Sequence, residues 1–147
     1  MTDQNTGKCP VTYGLDIFGD RWSLLIVRDM LFRGKRHYGQ FAKSSERISS
    51  NILASRLARL EEAGIIAKAD DPDNQKRFIY SLTDKGLALV PVLLEIVAWS
   101  ARFDPQAKTG PDLLRGAPAD LVERLHNDRA ALVAEIVARA RQEQTAP

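Results

Sequence analysis

Cysteine is nearly absent from this 147-residue chain, Cys9 being the only one. A single thiol excludes an intramolecular disulfide and any zinc site built on two or four cysteines. Histidine is scarce too: His37 and His126 lie far apart and make no case for a metal centre. No Gly-rich phosphate loop, nucleophile elbow or paired-carboxylate motif appears, so neither an enzyme nor a cofactor is expected. Met1 to Lys8 is polar, with no apolar leader, and no run of about 18 apolar residues occurs. These absences lead us to expect a reduced, cytoplasmic protein without a membrane partner.

What is present is an uneven charge. The formal net charge is only +2, yet Arg21 to Arg59 holds nine Lys/Arg against two acids, Asp29 and Glu46. That stretch is therefore +7 and the remainder of the chain −5. A basic segment on an acidic body is the footprint of a phosphate binder, although a solvated basic face would look the same.

Periodicity then supplies the elements. Leu15, Phe18, Trp22, Leu25 and Ile26 keep one side of Val11–Phe32 apolar, with Gly19 dividing it into two helices. Arg33 to Arg36 reads as a turn, Tyr38 to Ala42 as a short second helix, and Ser44 to Arg47 as the next turn. Ser49 is a natural N-cap for a third helix, in which Leu53, Leu57 and Leu60 share the core side and Gly64 is the stop. Ile65–Lys68 and Phe78–Leu82 read as strands of a hairpin, with Asp70 to Asn74 as a loop of several residues. Thr83 caps a helix to about Phe103 that is apolar nearly all round. Such a helix must be covered on more than one side, and we expect a kink at Pro91. Residues 1–103 are thus expected to form the main domain, 104–118 a linker, and 119–147 a C-terminal amphipathic helix and tail. In that helix Leu121, Leu125, Leu132, Ile136 and Ala140 form one stripe, broken at Asp128 or Arg129.

The fold class is accordingly mainly α with a small β-hairpin, a winged helix-turn-helix. A third helix that opens with small polar side chains and carries Arg56 and Arg59 suits the major groove of double-stranded DNA. We take Ser49, Ser50, Asn51, Ser55, Arg56 and Arg59 as its candidate DNA contacts. Capping is the competing role for Ser49, and pairing with acids such as Glu62 the competing role for the arginines. Lys35, Arg36, Tyr38, Gln40 and Lys43 are candidates for the phosphate backbone, and Lys76 and Arg77 for the wing. Phe41 is better placed in the core. A winged helix used only for protein assembly is the alternative from another class, kept open by Asp70, Asp71 and Asp73 at the wing turn.

Together these residues resemble the HxlR family of bacterial transcriptional regulators, relatives of the MarR type. The resemblance runs from Cys9-Pro10 through Gly19-Asp20-Arg21-Trp22-Ser23-Leu24-Leu25-Ile26, Tyr38-Gly39-Gln40-Phe41, Ile48-Ser49 and Leu57-Ala58-Arg59-Leu60-Glu61-Glu62-Ala63-Gly64. It ends with Tyr80-Ser81-Leu82-Thr83-Asp84-Lys85-Gly86 and Trp99. It implies a homodimer on a palindromic operator, with N- and C-terminal dimerisation helices, acting as repressor or activator. It also implies, for some members, a response to electrophiles through a cysteine near the N-terminus. Cys9 is the candidate sensor, with a small buried apolar residue as its other reading. A small apolar ligand in a cavity lined by Trp22, Trp99 and Phe103 at the dimer interface is a second effector class, with dense core packing as the favoured use of those side chains.

Overall fold

A proline opens the first helix and a glycine follows its end. In the computed structural model, which describes residues 9–105 and 120–145, α1 spans Pro10–Phe18 and α2 Ser23–Phe32, with Gly19 as the C-cap of α1. The expected division at Gly19 is therefore what is found. Asp20 starts α2: its carboxylate accepts from the amides of Trp22 (2.8 Å) and Ser23 (2.9 Å) and from the Ser23 hydroxyl (2.5 Å). Helices α3 (Tyr38–Ala42) and α4 (Ser50–Glu62) complete the helix-turn-helix.

Helix α4 is bounded as its sequence requires. The Ser49 hydroxyl accepts from the Ile52 amide at 3.4 Å. At the other end Gly64 adopts φ +77°, and the amides of Gly64 and Ile65 close back on Glu61 and Leu60. That left-handed closure strongly favours glycine. Leu53, Leu57 and Leu60 enter a core shared with Val27, Leu31, Phe41, Ile65 and Leu94.

The hairpin differs from expectation. Strands β1 (Ile66–Asp71) and β2 (Asn74–Leu82) are longer and the connection shorter than the sequence suggested. They pair antiparallel from Ile66–Leu82 to Asp70–Phe78, then shift register so that Asp71 faces Asn74. Asp71 explains the compact turn. Only 2% exposed, it accepts from the Asp73 amide at 2.9 Å and from Arg77 Nε at 2.5 Å. The Asp73 amide and the Arg77 guanidinium hold its carboxyl below the usual carboxylate range.

The apolar helix after the wing is also divided differently. Thr83 caps α5 (Asp84–Leu87) by accepting from the Gly86 amide at 3.1 Å. Gly86 lies so close to β1 that a Cβ there would sit 2.2 Å from the Ile65 carbonyl oxygen. The chain turns at Ala88–Leu89, and α6 runs Val90–Phe103 with Pro91 in its first turn. Pro91 therefore starts a helix instead of kinking one, because a first-turn amide needs no helical acceptor. By length and composition alone Asp84–Phe103 could cross a membrane, but Val90, Leu93 and Leu94 are buried in the protein core.

The C-terminal stripe holds. Helices α7 (Leu121–Asn127) and α8 (Arg129–Thr145) break at Asp128, and Leu121, Leu125, Leu132, Ile136 and Ala140 are all buried. They pack on α6 of their own chain. The expected linker lies, apart from Asp104 and Pro105, outside the described residues.

Under the helix-turn-helix sits a charged cluster. Asp29, 2% exposed, accepts from Arg28 Nη2 (2.7 Å), Lys35 Nζ (3.1 Å) and the Ser44 hydroxyl, with Arg33 Nη1 at 3.3 Å. Arg28 also grips Glu46 with both terminal nitrogens, at 2.6 and 3.0 Å. That grip holds the Glu46 pKa at about 2, against an ordinary 4.5.

Because the folded pKa of Glu46 is the lower one, its contribution is complete above about pH 4.5 and lost as pH falls toward 2. We expect Glu46→Gln to cost on the order of 1–2 kcal/mol at neutral pH, allowing for solvent screening. The variant should also lose stability less steeply through that acid window. Denaturant melts across the window check this, and equal slopes would contradict it. For the wing, Asp71→Ala should speed amide exchange over residues 72–78 while leaving α4 protected. Unchanged exchange there would show that the carboxylate does not hold the turn.

Candidate nucleic-acid interface

An exposed helix face and a basic cleft lie on the helix-turn-helix and its hairpin. At 3.6 residues per turn, positions 51, 54, 55 and 58 of α4 share one face, and Asn51, Ala54, Ser55 and Ala58 are all exposed. Ser49 and Ser50 stand exposed at the helix start. Ser49 performs the capping role, and the Ser50 carbonyl accepts from the Tyr38 hydroxyl at 3.1 Å.

Both arginines of α4 have partners within the chain, Arg56 from a half-buried position and Arg59 from an exposed one. Arg56 Nε lies 3.0 Å from Asp20 Oδ1, and Arg59 Nη2 donates to the Asp16 carbonyl at 2.9 Å. Burial pushes the Asp20 pKa up, but the Ser23 hydroxyl, the Trp22 and Ser23 amides and Arg56 outweigh it, leaving it below the ordinary value. The partners are thus Asp20 and the α1 carboxyl end, not Glu62.

Beside this face, α3 and the wing bound an open cleft of about 730 Å³ whose lining includes His37, Tyr38, Gln40, Lys43, Lys76 and Arg77. The structure so brings together three of the five backbone candidates and both wing candidates. Lys43 and Lys76 are exposed, while Arg77 is tied to Asp71. Gln40 caps the start of α3, its Oε1 accepting from the amides of Arg36 (2.8 Å) and His37 (3.0 Å). The other two candidates lie apart from the cleft lining. Lys35 is committed to Asp29 and to the Ser44 hydroxyl (2.9 Å), and Arg36 donates to the Tyr80 carbonyl at 3.3 Å. Phe41 is in the core, edge-on to Tyr80.

Cys9 occupies the N-cap position of α1 and is exposed. The first-turn amides of Thr12 and Val11 and the Thr12 hydroxyl hold its thiol pKa below the ordinary value. The buried apolar reading of Cys9 is not what is found.

Ala54 and Ala58 join the polar candidates on this exposed face. Their signal was the spacing with Asn51 and Ser55, which marks a face away from Leu53, Leu57 and Leu60.

Comparison with known proteins gives one consistent result. A family profile described as HxlR-like helix-turn-helix matches residues 17–108. YvaP of Bacillus subtilis, an uncharacterized HTH-type transcriptional regulator, is 37% identical over 62% of this chain and 84% of its own. The HTH-type transcriptional regulator YodB of the same organism is 33% identical over 65% and 85%. Among solved structures, PA1607 aligns with a TM-score of 0.64 and 36% identity, covering 80% of this chain and 85% of that one. Reduced YodB aligns at 0.55 with 28% identity, covering 69% and 100%. YodB has also been solved bound to quinone, aligning at 0.53 with 31% identity over 65% of this chain and 100% of that one. The chain belongs to the HxlR-like helix-turn-helix family of transcriptional regulators.

Proposed function

We propose that this member of the family is a repressor, binding a palindromic operator as a homodimer with α4 in the major groove and the wing along the adjacent backbone. The observation that carries this reading is the exposed face of α4 flanked by the cleft holding Lys43 and Lys76. A helix presented this way fits the groove by size, and lysines beside it suit phosphates, which fix register without reading sequence. Ser50, Asn51 and Ser55 supply short donors and acceptors toward base edges, while Tyr38, Gln40 and Arg77 border the backbone path.

A second copy of the chain is the proposed cover for the apolar side chains left outside. Val11, Tyr13 and Leu15 on α1 and Ile96, Trp99 and Phe103 on α6 are exposed, Trp99 by 67%. Large apolar groups in such number mark an interface, and a twofold dimer presents two α4 helices to the half-sites of a palindrome.

Anisotropy titration against the intergenic DNA upstream of its own gene tests this. Preferential binding to that DNA over an unrelated duplex is expected. The logarithm of the affinity should fall linearly with that of salt, and Lys43→Ala with Lys76→Ala should reduce the slope by roughly two. Equal affinity for both duplexes, or no binding by a folded dimer, would favour protein assembly instead.

The effector we propose is an electrophile acting at Cys9, whose lowered pKa favours the reactive thiolate. Diamide or a quinone should release the protein from DNA, and Cys9→Ser should abolish the response. An undiminished response in that variant would exclude the thiol.

A further inference from the structure

We infer that the base-reading surface of α4 is an uncharged stripe, Asn51, Ala54, Ser55 and Ala58, matched to A·T pairs, and that Arg56 and Arg59 are positioning residues that tie this helix to α1. The inference rests on α4 entering the major groove, as proposed above, and names what it would read there.

The stripe follows from helical geometry. Leu53, Leu57 and Leu60 bury one side of α4, and Asn51, Ala54, Ser55 and Ala58 form an exposed i, i+3, i+4, i+7 stripe away from it, flanked toward the helix end by the exposed Arg59 and Glu62. The four stripe residues present a carboxamide, a methyl, a hydroxyl and a second methyl. Asparagine can bond both N6 and N7 of adenine, and alanine methyls pack on the C5 methyl of thymine. Side chains this short also let the helix backbone come close to the bases. The commonest guanine reader, an arginine or lysine fork aimed at O6 and N7, has no member in the stripe.

The arginines of α4 fall to one side of it, toward α1. Arg56 pairs with Asp20, which at the same time caps α2 through the Trp22 and Ser23 amides. Arg59 donates to the Asp16 carbonyl at the end of α1. For Arg56 to reach a guanine, it would have to leave a half-buried carboxylate that organises the next helix. Holding α4 at two points one turn apart fixes its roll, and the roll decides which side chains meet the groove.

Selection of duplexes from a random library, by the full-length wild-type protein and variants, tests this. The wild type should select half-sites with A·T pairs at the positions α4 covers. Asn51→Ala should lose roughly tenfold discrimination at one adenine and leave other positions alone. Replacing contacted thymines by deoxyuridine should weaken wild-type binding by about fourfold per methyl removed. Arg56→Ala and Arg59→Ala should weaken all sites in parallel and return the same motif. Arg56→Lys, which keeps the charge for Asp20 but lacks the planar fork, should recover affinity. A motif with guanines whose discrimination disappears in Arg56→Ala or Arg56→Lys would overturn the inference while leaving the DNA-binding proposal standing. Failure of a folded wild-type dimer to enrich any motif would overturn both.

Discussion

A carboxylate with nowhere to go organises the helix-turn-helix. Asp29 is buried on the inner side of α2, where an unpaired charge would be strongly unfavourable. Its partners come from three places in the chain: Arg28 and Arg33 on either side of it, Lys35 in the turn after α2, and Ser44 after α3. The Asp29 carbonyl also accepts from the Arg33 and Lys35 amides at 3.1 Å. Satisfying one side chain thus sets the exit of α2, the path to α3 and the departure from α3 together. Arg28 extends the cluster to Glu46, next to Arg47, whose φ of 58° turns the chain into α4. Breaking a buried pair typically costs about 3–5 kcal/mol, so the frame that presents α4 is held by charge as much as by its leucines.

Pairing of this kind explains why the +7 count overstates the free charge, although Arg21, Lys43, Arg47 and Arg59 are exposed. Arg28, Arg33 and Lys35 face Asp29, Arg36 reaches the Tyr80 carbonyl, Arg56 faces Asp20 and Arg59 the Asp16 carbonyl. Charge adds up along a sequence, but the partners lie up to 44 residues away, and no local pattern announces them. What could be read locally was read correctly: the Gly19 division, the Ser49 and Thr83 caps, the Gly64 stop, and the leucine stripes of α4, α7 and α8. Each depends on residues within a turn or two of one another. The hairpin failed the same test. Its turn is shortened by Asp71 being drawn inward to Arg77 and the Asp73 amide, and an aspartate beside Pro72 otherwise reads as loop. The break at Ala88–Leu89 had no marker except Pro91, whose preference for a first helical turn carries the same letter as a kink.

The C-terminal helices reach the wing by a route equally invisible in sequence. Gln144, near the end of α8, places its carboxamide on the free edge of β2, accepting from the Leu82 amide at 2.6 Å and donating to the Leu82 carbonyl at 3.3 Å. One side chain thereby does for Leu82 what a third strand would do, closing an edge that would otherwise invite another chain. Arg141, one turn earlier, meets Asp84 at 2.8 Å beside the Thr83 cap. Thr83 itself donates to the Gly64 carbonyl at 2.5 Å. The end of α4, the base of the wing and the start of α5 are therefore pinned at one junction, and α8 braces it from outside. Gly86 allows the junction to be this tight, since any side chain there would strike the Ile65 carbonyl. A helix packed on α6 is in this way joined to the base of the hairpin that flanks the α4 surface.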